Sequence, residues 1–448
     1  MASDSSLLDR QAWPSRTLRE ANVILIDCDH RTPPAQEQGY PYVTIPQLKN
    51  GRIELSSSRR ISPEHYVEWA RKAKPSPYDV VLSRRCNPGE TAFVSPDMEF
   101  ALGQNLVLLR ADGSEVYPPF LRWLVRGPEW WSQIKTFLNV GAVFESLRCA
   151  DIPKFTLTIP PLDEQKVIAD FLGSLDAKIE TIQRQNALME ELARTIFKSW
   201  FVDFDPVRAK AEGREPEGMD AATAALFPNE FQESEVGLIP YGWSVSTIKD
   251  LARNIQYGFT TSAKAEAIGP KFLRITDIQG GQVNWSKVPY CIASEAEYDR
   301  YRLKPHDIVV ARTGASTGEN IYLPVVPDAV FASYLVRFQF DHPAVARLVG
   351  AFMRTTAYFD FVQNSIGGSA QPNASAQVLA GAKLVLPTPV LLRQFAEIVE
   401  QLDEKLWHNV TQSITLADLR DNLLPRLISG KLRVPEAEAM LTGGCREV

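Results

Sequence analysis

Between Asp163 and Phe201, apolar residues recur at alternating steps of four and three: Ile168, Leu172, Leu175, Ile179 and Ile182, then Met189, Ala193, Ile196 and Trp200. On a helix this spacing draws one narrow stripe, the pattern of a coiled-coil seam. Asn186 interrupts the stripe near its middle. A polar residue buried in a seam costs stability but fixes register, so it says more than another Leu would. A second stripe of the same kind follows late in the chain at Phe395, Val399, Leu402, Leu406, Leu416, Leu423 and Leu427, with Asn409 and Ser413 as its polar centre. Two narrow seams of equal length, each with a polar centre, predict helices that pair with one another. About 38 residues at 1.5 Å each make a rod of roughly 55 to 60 Å.

The stripes are one sign of an internal repeat. Residues Thr158 to Phe201 match Val385 to Ile428 at a constant offset of 227: Pro160 falls on Pro387, Ala169 on Ala396, Leu175-Asp176 on Leu402-Asp403, Lys178 on Lys405 and Leu192 on Leu419. Earlier in each copy, Trp13 to Glu20 matches Trp243 to Asp250 at 230, and Tyr78 to Arg84 matches His306 to Arg312 at 228. A chance match does not hold one offset over more than forty residues, so the chain is a unit written twice. The globular part of each copy shows short strands with turns, such as Tyr42-Val43-Thr44-Ile45 and Phe272-Leu273-Arg274-Ile275. The fold class expected is mixed α+β: two α/β domains separated by two long helices, related by a pseudo-two-fold repeat. The boundaries read from this are a first domain over 1–159, a first helix over 160–204, a Pro- and acid-rich linker over 205–236, a second domain over 237–386, a second helix over 387–434 and a tail over 435–448.

Length supports more than one domain, since 448 residues exceed one ordinary core. The net charge of −6 seems to argue against a polyanionic partner, but the acid is localised. Residues 160–235 carry −8 and 387–448 carry −2, whereas 1–159 carry +1 and 236–386 carry +3. No apolar run approaches the roughly 20 residues that span a bilayer, and the polar start MASDSSLLDRQ lacks a signal core, so a cytoplasmic protein is expected. The five cysteines lie far apart and the five histidines are scattered, with no spacing suited to a metal. The loop Thr313-Gly314-Ala315-Ser316-Thr317-Gly318 has the glycines of a phosphate cradle but not its Gly-Lys-Ser/Thr ending. An amino-methyltransferase would need an Asn/Asp-Pro-Pro-aromatic motif for the flipped base, and Asp205-Pro206-Val207 does not supply it. No Gly-rich fingerprint for S-adenosylmethionine and no nuclease carboxylate–Lys set stands out. No catalytic residue and no metal ligand is therefore expected. An assembly adaptor without DNA specificity is the other reading, but it would not need two different strand-rich domains at the same point of each repeat.

Three segments carry a family resemblance. Ile159-Pro160-Pro161-Leu162-Asp163-Glu164-Gln165 opens the first helix, FKSWFVDFDPVRAKAEG (Phe197 to Gly213) closes it, and Leu419 to Leu432 ends the second. Together with Gly237 to Trp243 they resemble the conserved regions of type I restriction–modification specificity subunits. The resemblance runs along the whole chain in order. It implies that each domain reads one half of a split, asymmetric sequence in double-stranded DNA, and that antiparallel helices fix the gap. It also implies two methyltransferase subunits and restriction subunits as partners. No cofactor is expected on this chain; S-adenosylmethionine, ATP and Mg belong to the partners. The second helix departs from the first where Leu391-Leu392 replaces Glu164-Gln165.

Arginine is the best single reader of guanine, and Asn and Gln of adenine. The DNA-contacting residues expected are Arg59, Arg60, Arg84 and Arg85 in the first domain. In the second they are Lys264, Arg312, Thr313, Ser369 and Gln371. Trp200, Phe201 and Phe204, beside Asp203 and Asp205, are expected to dock a partner or to pack the helix ends.

Overall fold

Val80–Ser83 and Leu106–Ala111 are runs of β-branched and leucine side chains with no polar face, the composition of a strand covered on both sides. The computed structural model describes residues 13–140, 145–366 and 373–443. It places these two strands at the centre of a four-stranded antiparallel sheet ordered Val23–Asp27, Leu106–Ala111, Val80–Ser83, Thr91–Phe93. Alternation sends Val80, Leu82, Val107 and Leu109 into one core and Val81, Leu106 and Leu108 into another. The second copy repeats the order with Ala252–Tyr257, Leu335–Phe340, Asp307–Ala311 and Asn320–Leu323. Its residues again divide by parity, Ile308, Val310, Val336 and Phe338 on one side, Val309, Ala311 and Leu335 on the other. Each domain also holds one parallel pairing, Tyr40–Val43 with Ala101–Leu102 and Lys271–Leu273 with Ala329–Phe331. The strands expected to reach Ile45 and Ile275 stop earlier, because a single 3-10 turn begins at each of these residues.

The chain forms two compact units, Met1–Thr181 with Ser413–Val448, and Ile182–Gln412. Each contains one domain, half of the first long helix, Leu162–Phe201, and half of the second, Pro389–Ile428. Within the first unit, Ile168 and Leu172 share a core with Leu423 and Leu427, and Asp176 meets Arg420 at 2.5 Å. Within the second, Phe197 and Phe201 lie against Phe395 with ring centroids 6.2 and 4.9 Å apart, and the Asn409 amide donates to Asn186 Oδ1 at 2.8 Å. Numbers rise on one helix as they fall on the other, so the half-helices of each unit run antiparallel. Leu175, Ile179, Ile182, Phe395, Val399 and Leu423 are buried; Met189, Ile196, Leu402, Leu406 and Leu416 are half-buried. Both amides of the Asn186–Asn409 pair are buried, and each satisfies the other in part. That is the arrangement in which a polar seam residue selects one register over its neighbours.

Two expected segments are corrected. Residues 205–236 are folded, with a helix at Asp205–Ala211 and a strand at Phe231–Ser234 paired to Gly237–Pro240. Val207 and Phe227 are fully inside the second unit's core. Proline and acid content mask the few apolar residues that an aromatic cluster can hold. The tail likewise forms a helix, Val434–Gly443, whose Ala437 is buried in the first unit.

Trp200, Phe201 and Phe204 belong to that aromatic cluster. They are 5, 5 and 8% exposed and pack on Phe227, Phe395 and Trp243. The docking role expected for them is therefore withdrawn: a surface aromatic and a core aromatic look alike in sequence. The two helix starts also differ in chemistry. Buried Gln165 accepts from the Tyr117 backbone and donates to Glu115 and Pro160 carbonyls, whereas Leu391 and Leu392 close the same position with apolar contact.

Candidate nucleic-acid interface

Each domain is tied to its half-helices by an arginine on a domain helix and an aspartate in the long helix. In the first unit Arg122, from Pro118–Leu124, contacts Asp176, which also holds Arg420 and, at 3.5 Å, Arg52. In the second unit Arg347, from Pro343–Met353, lies 3.0 Å from Asp403. The aspartates are the matched pair of the repeat. Burial, with Arg52, Arg126 and Arg420 close by, pulls Arg122 down to about 9, which leaves it cationic at neutral pH. Burial pushes the Asp403 carboxyl up to about 6; Arg347 opposes the rise while Glu400 and Glu190 add to it. A carboxyl raised on folding contributes stability that is complete below its ordinary pKa near 4 and is lost as pH climbs through 6. Between pH 4.5 and 7.5 the native chain should therefore lose about 2 kcal/mol of unfolding free energy relative to Asp403→Asn, the two being compared by urea titration. Parallel pH profiles would contradict this.

The ends of the central strands carry four of the expected contacts, Arg84, Arg85, Arg312 and Thr313. Arg85 follows Val80–Ser83, with its side chain exposed, and Cys86 after it takes a left-handed backbone with φ 64°. Arg84 does not face outward. Its side chain is 11% exposed, donates to the Leu147 carbonyl at 3.4 Å and lies 3.7 Å from Asp27. It is withdrawn as a DNA contact, because a buried, ion-paired guanidinium has no free edge. Arg59 turns back to the Pro33 carbonyl and over the Tyr42 ring, and Arg60 donates to the Gly39 carbonyl at 3.3 Å. Lys264 exchanges backbone bonds with Tyr290 and leaves its side chain exposed. Ser369 and Gln371 lie outside the described residues.

In the second domain Arg312 and Thr313 follow Asp307–Ala311. Arg312 lies over Tyr257 with 4.9 Å to the ring centroid and donates to Asn373 Oδ1 at 3.1 Å. Tyr257 and Asn373 were not among the expected residues. They stand 55 and 61 positions from Arg312; strand pairing brings in Tyr257, and a bridge between Thr313 and Asn373 brings in the other. The glycine loop at 314–318 leads into the strand Asn320–Leu323, where a phosphate cradle would open a helix.

The sequence also gave no sign of one cluster. Asp27, Cys28 and His30 bring ligand-type atoms within 4.8 Å of one another. Lys72 and Arg84 each stand 3.7 Å from the Asp27 carboxylate, which makes the cluster an ion-pair network with little attraction for a further cation. Among the described residues no helix is long and apolar enough to cross a membrane.

A family model described as type I restriction modification DNA specificity domain matches residues 28–191. The chain is 23% identical over 79% of its length to the type I restriction enzyme HindI specificity subunit of Haemophilus influenzae, covering 86% of that protein. It is 25% identical over 88% of its length to the MjaIX specificity subunit of Methanocaldococcus jannaschii, covering 87% of that one. The crystal structure of the type I S subunit from M. genitalium shares the fold over 94% of this chain and 97% of its own, at 15% identity and a TM-score of 0.56. The repeated sheet order and the matched specificity domain together define a protein built from two copies of one domain of the DNA-specificity class. Over residues 28–191 the chain matches the type I specificity domain, and along most of its length it is similar to type I restriction–modification specificity subunits.

Proposed function

We propose that each domain reads one half of a bipartite, asymmetric DNA target and that the paired helices set the gap between the halves. The observation that carries this reading is that two domains with one sheet order present different side chains at equivalent strand ends. Covalently joined readers approximate a two-fold protein on DNA, and readers with different side chains call for different half-sites. Two methyltransferase subunits dock on the helices and restriction subunits join them; Leu188 and Leu192, 66 and 49% exposed on the first helix, are apolar residues open to such a partner. S-adenosylmethionine, ATP and Mg are handled by those subunits, and this chain performs no chemistry of its own. The test measures methyl transfer to DNA by the purified chain alone and with its methyltransferase. We expect none from the chain alone, and from the complex a split adenine-methylation motif that disappears from the cell's methylome when this gene is deleted. Methyl transfer by the single chain would refute the reading.

A further inference from the structure

The two central sheets can be superimposed residue by residue through their registers. Val107 pairs with Asp27 and Leu82 in the first domain, and Val336 pairs with Tyr257 and Val310 in the second. Asp27 and Tyr257 therefore occupy one position, and so do Arg84 and Arg312, two residues beyond Leu82 and Val310. In the first domain that neighbour is a carboxylate, and Arg84 is folded inward onto it. In the second the neighbour is an aromatic ring that neutralises nothing.

Arg312 is held from several sides and still has donors to spare. Its backbone N–H donates to the Tyr334 carbonyl at 3.0 Å, and its carbonyl accepts from Ala374 at 2.8 Å. The guanidinium stacks on Tyr257, whose own hydroxyl accepts from the Ala376 N–H at 3.0 Å and so cannot swing away. Asn373 takes one Nη2 hydrogen, and Nε is buried without a partner. Among the described residues Nη1 and the second Nη2 hydrogen have no partner, and they form the free edge of the fork. Tyr257, 43% exposed, lines one face of it. A planar cation whose rotamer is already fixed loses little entropy on binding, and two parallel donors match O6 and N7 of guanine in the major groove.

We infer that Arg312 reads one guanine in the half-site of the second domain, that Tyr257 is the residue positioning it, and that Arg84 is its silenced counterpart. This rests on the reading of the domains as DNA-binding. The test uses the full chain in complex with its methyltransferase and measures base preference at every target position by selection from a randomised DNA pool. Arg312→Lys keeps the charge but loses the fork, so preference for one guanine should fall about ten- to hundredfold. The salt dependence of binding and the other half-site should not change. Tyr257→Ala should relax the same position, Tyr257→Phe should retain it, and Arg84→Lys should alter no base preference. The unchanged half-site reports that each variant is folded. A uniform loss of affinity with all preferences intact would make Arg312 a phosphate contact and overturn the inference. So would a native half-site without guanine, or a guanine preference lost equally in Arg84→Lys. A native complex with no sequence preference at all would instead overturn the DNA-reading function.

Discussion

Asp176→Ala should destabilise the first unit by about 3–5 kcal/mol, the cost of leaving buried charge without its partner. Asp176 is 4% exposed at its side chain, and it serves Arg122 and Arg420, themselves 14 and 12% exposed, as well as Arg52. Removing the carboxylate leaves Arg122 without its ion-pair partner, while Arg420 keeps Asp421 and Arg52 keeps Glu180, and the three guanidiniums gathered there repel each other. The counterpart Asp403→Ala strands only Arg347, so its loss should be smaller by 1 kcal/mol or more at pH 7. Part of that difference comes from the raised carboxyl of Asp403, which already costs the native second unit stability when ionised. The comparison is made by urea unfolding of both variants, and the double variant Arg122→Met/Asp176→Leu should recover much of the loss, since an apolar pair can replace a buried ion pair. Equal losses in the two single variants, or a loss below 1 kcal/mol for Asp176→Ala, would show that the repeated Arg–Asp contacts do not anchor the domains.

Inserting seven residues after Ile182 and seven after Gln412 should lengthen the preferred gap in the DNA target by about three base pairs. Seven residues add about 10.5 Å of helix, and one step along a strand is about 3.4 Å. A whole heptad returns the seam to the same face, so the helices continue to pair without a stutter. The insertion points lie between the Asp176–Arg420 contact of the first unit and the Asn186–Asn409 contact of the second, and both contacts keep their partners. Both half-sites should keep their sequences, because no strand-end residue is altered. The measurement is the methylation motif of cells carrying the variant: an unchanged gap in an active complex would show that the helices are not the ruler.

The long helices and the duplication were legible because both are periodic. A stripe at steps of three and four over forty residues can serve one face of one helix, and a constant offset survives divergence of everything between its anchors. The strands just before Arg84 and Arg312 were legible for a related reason, since an uninterrupted apolar run bounded by a glycine-containing loop leaves few alternatives. The folded stretch over 205–236 was not, because Val207, Phe227 and Phe231 are too sparse to show a period and are held only by a cluster gathered from three separate segments.

Trp200, Phe201 and Phe204 show the limit most plainly. Sequence placed them at a helix end, and nothing local distinguishes an aromatic residue awaiting a partner from one already covered. The second unit decided it, by bringing Phe227, Trp243 and Phe395 around them. The same holds for the two arginines at the strand ends. Sequence determined that each domain ends its central strand with one, since the repeat aligns them. Only the tertiary structure decided that Asp27 turns Arg84 inward while Tyr257 leaves Arg312 a free edge, because a side chain's direction depends on the neighbour across the sheet, and that neighbour lies more than fifty residues away in the chain.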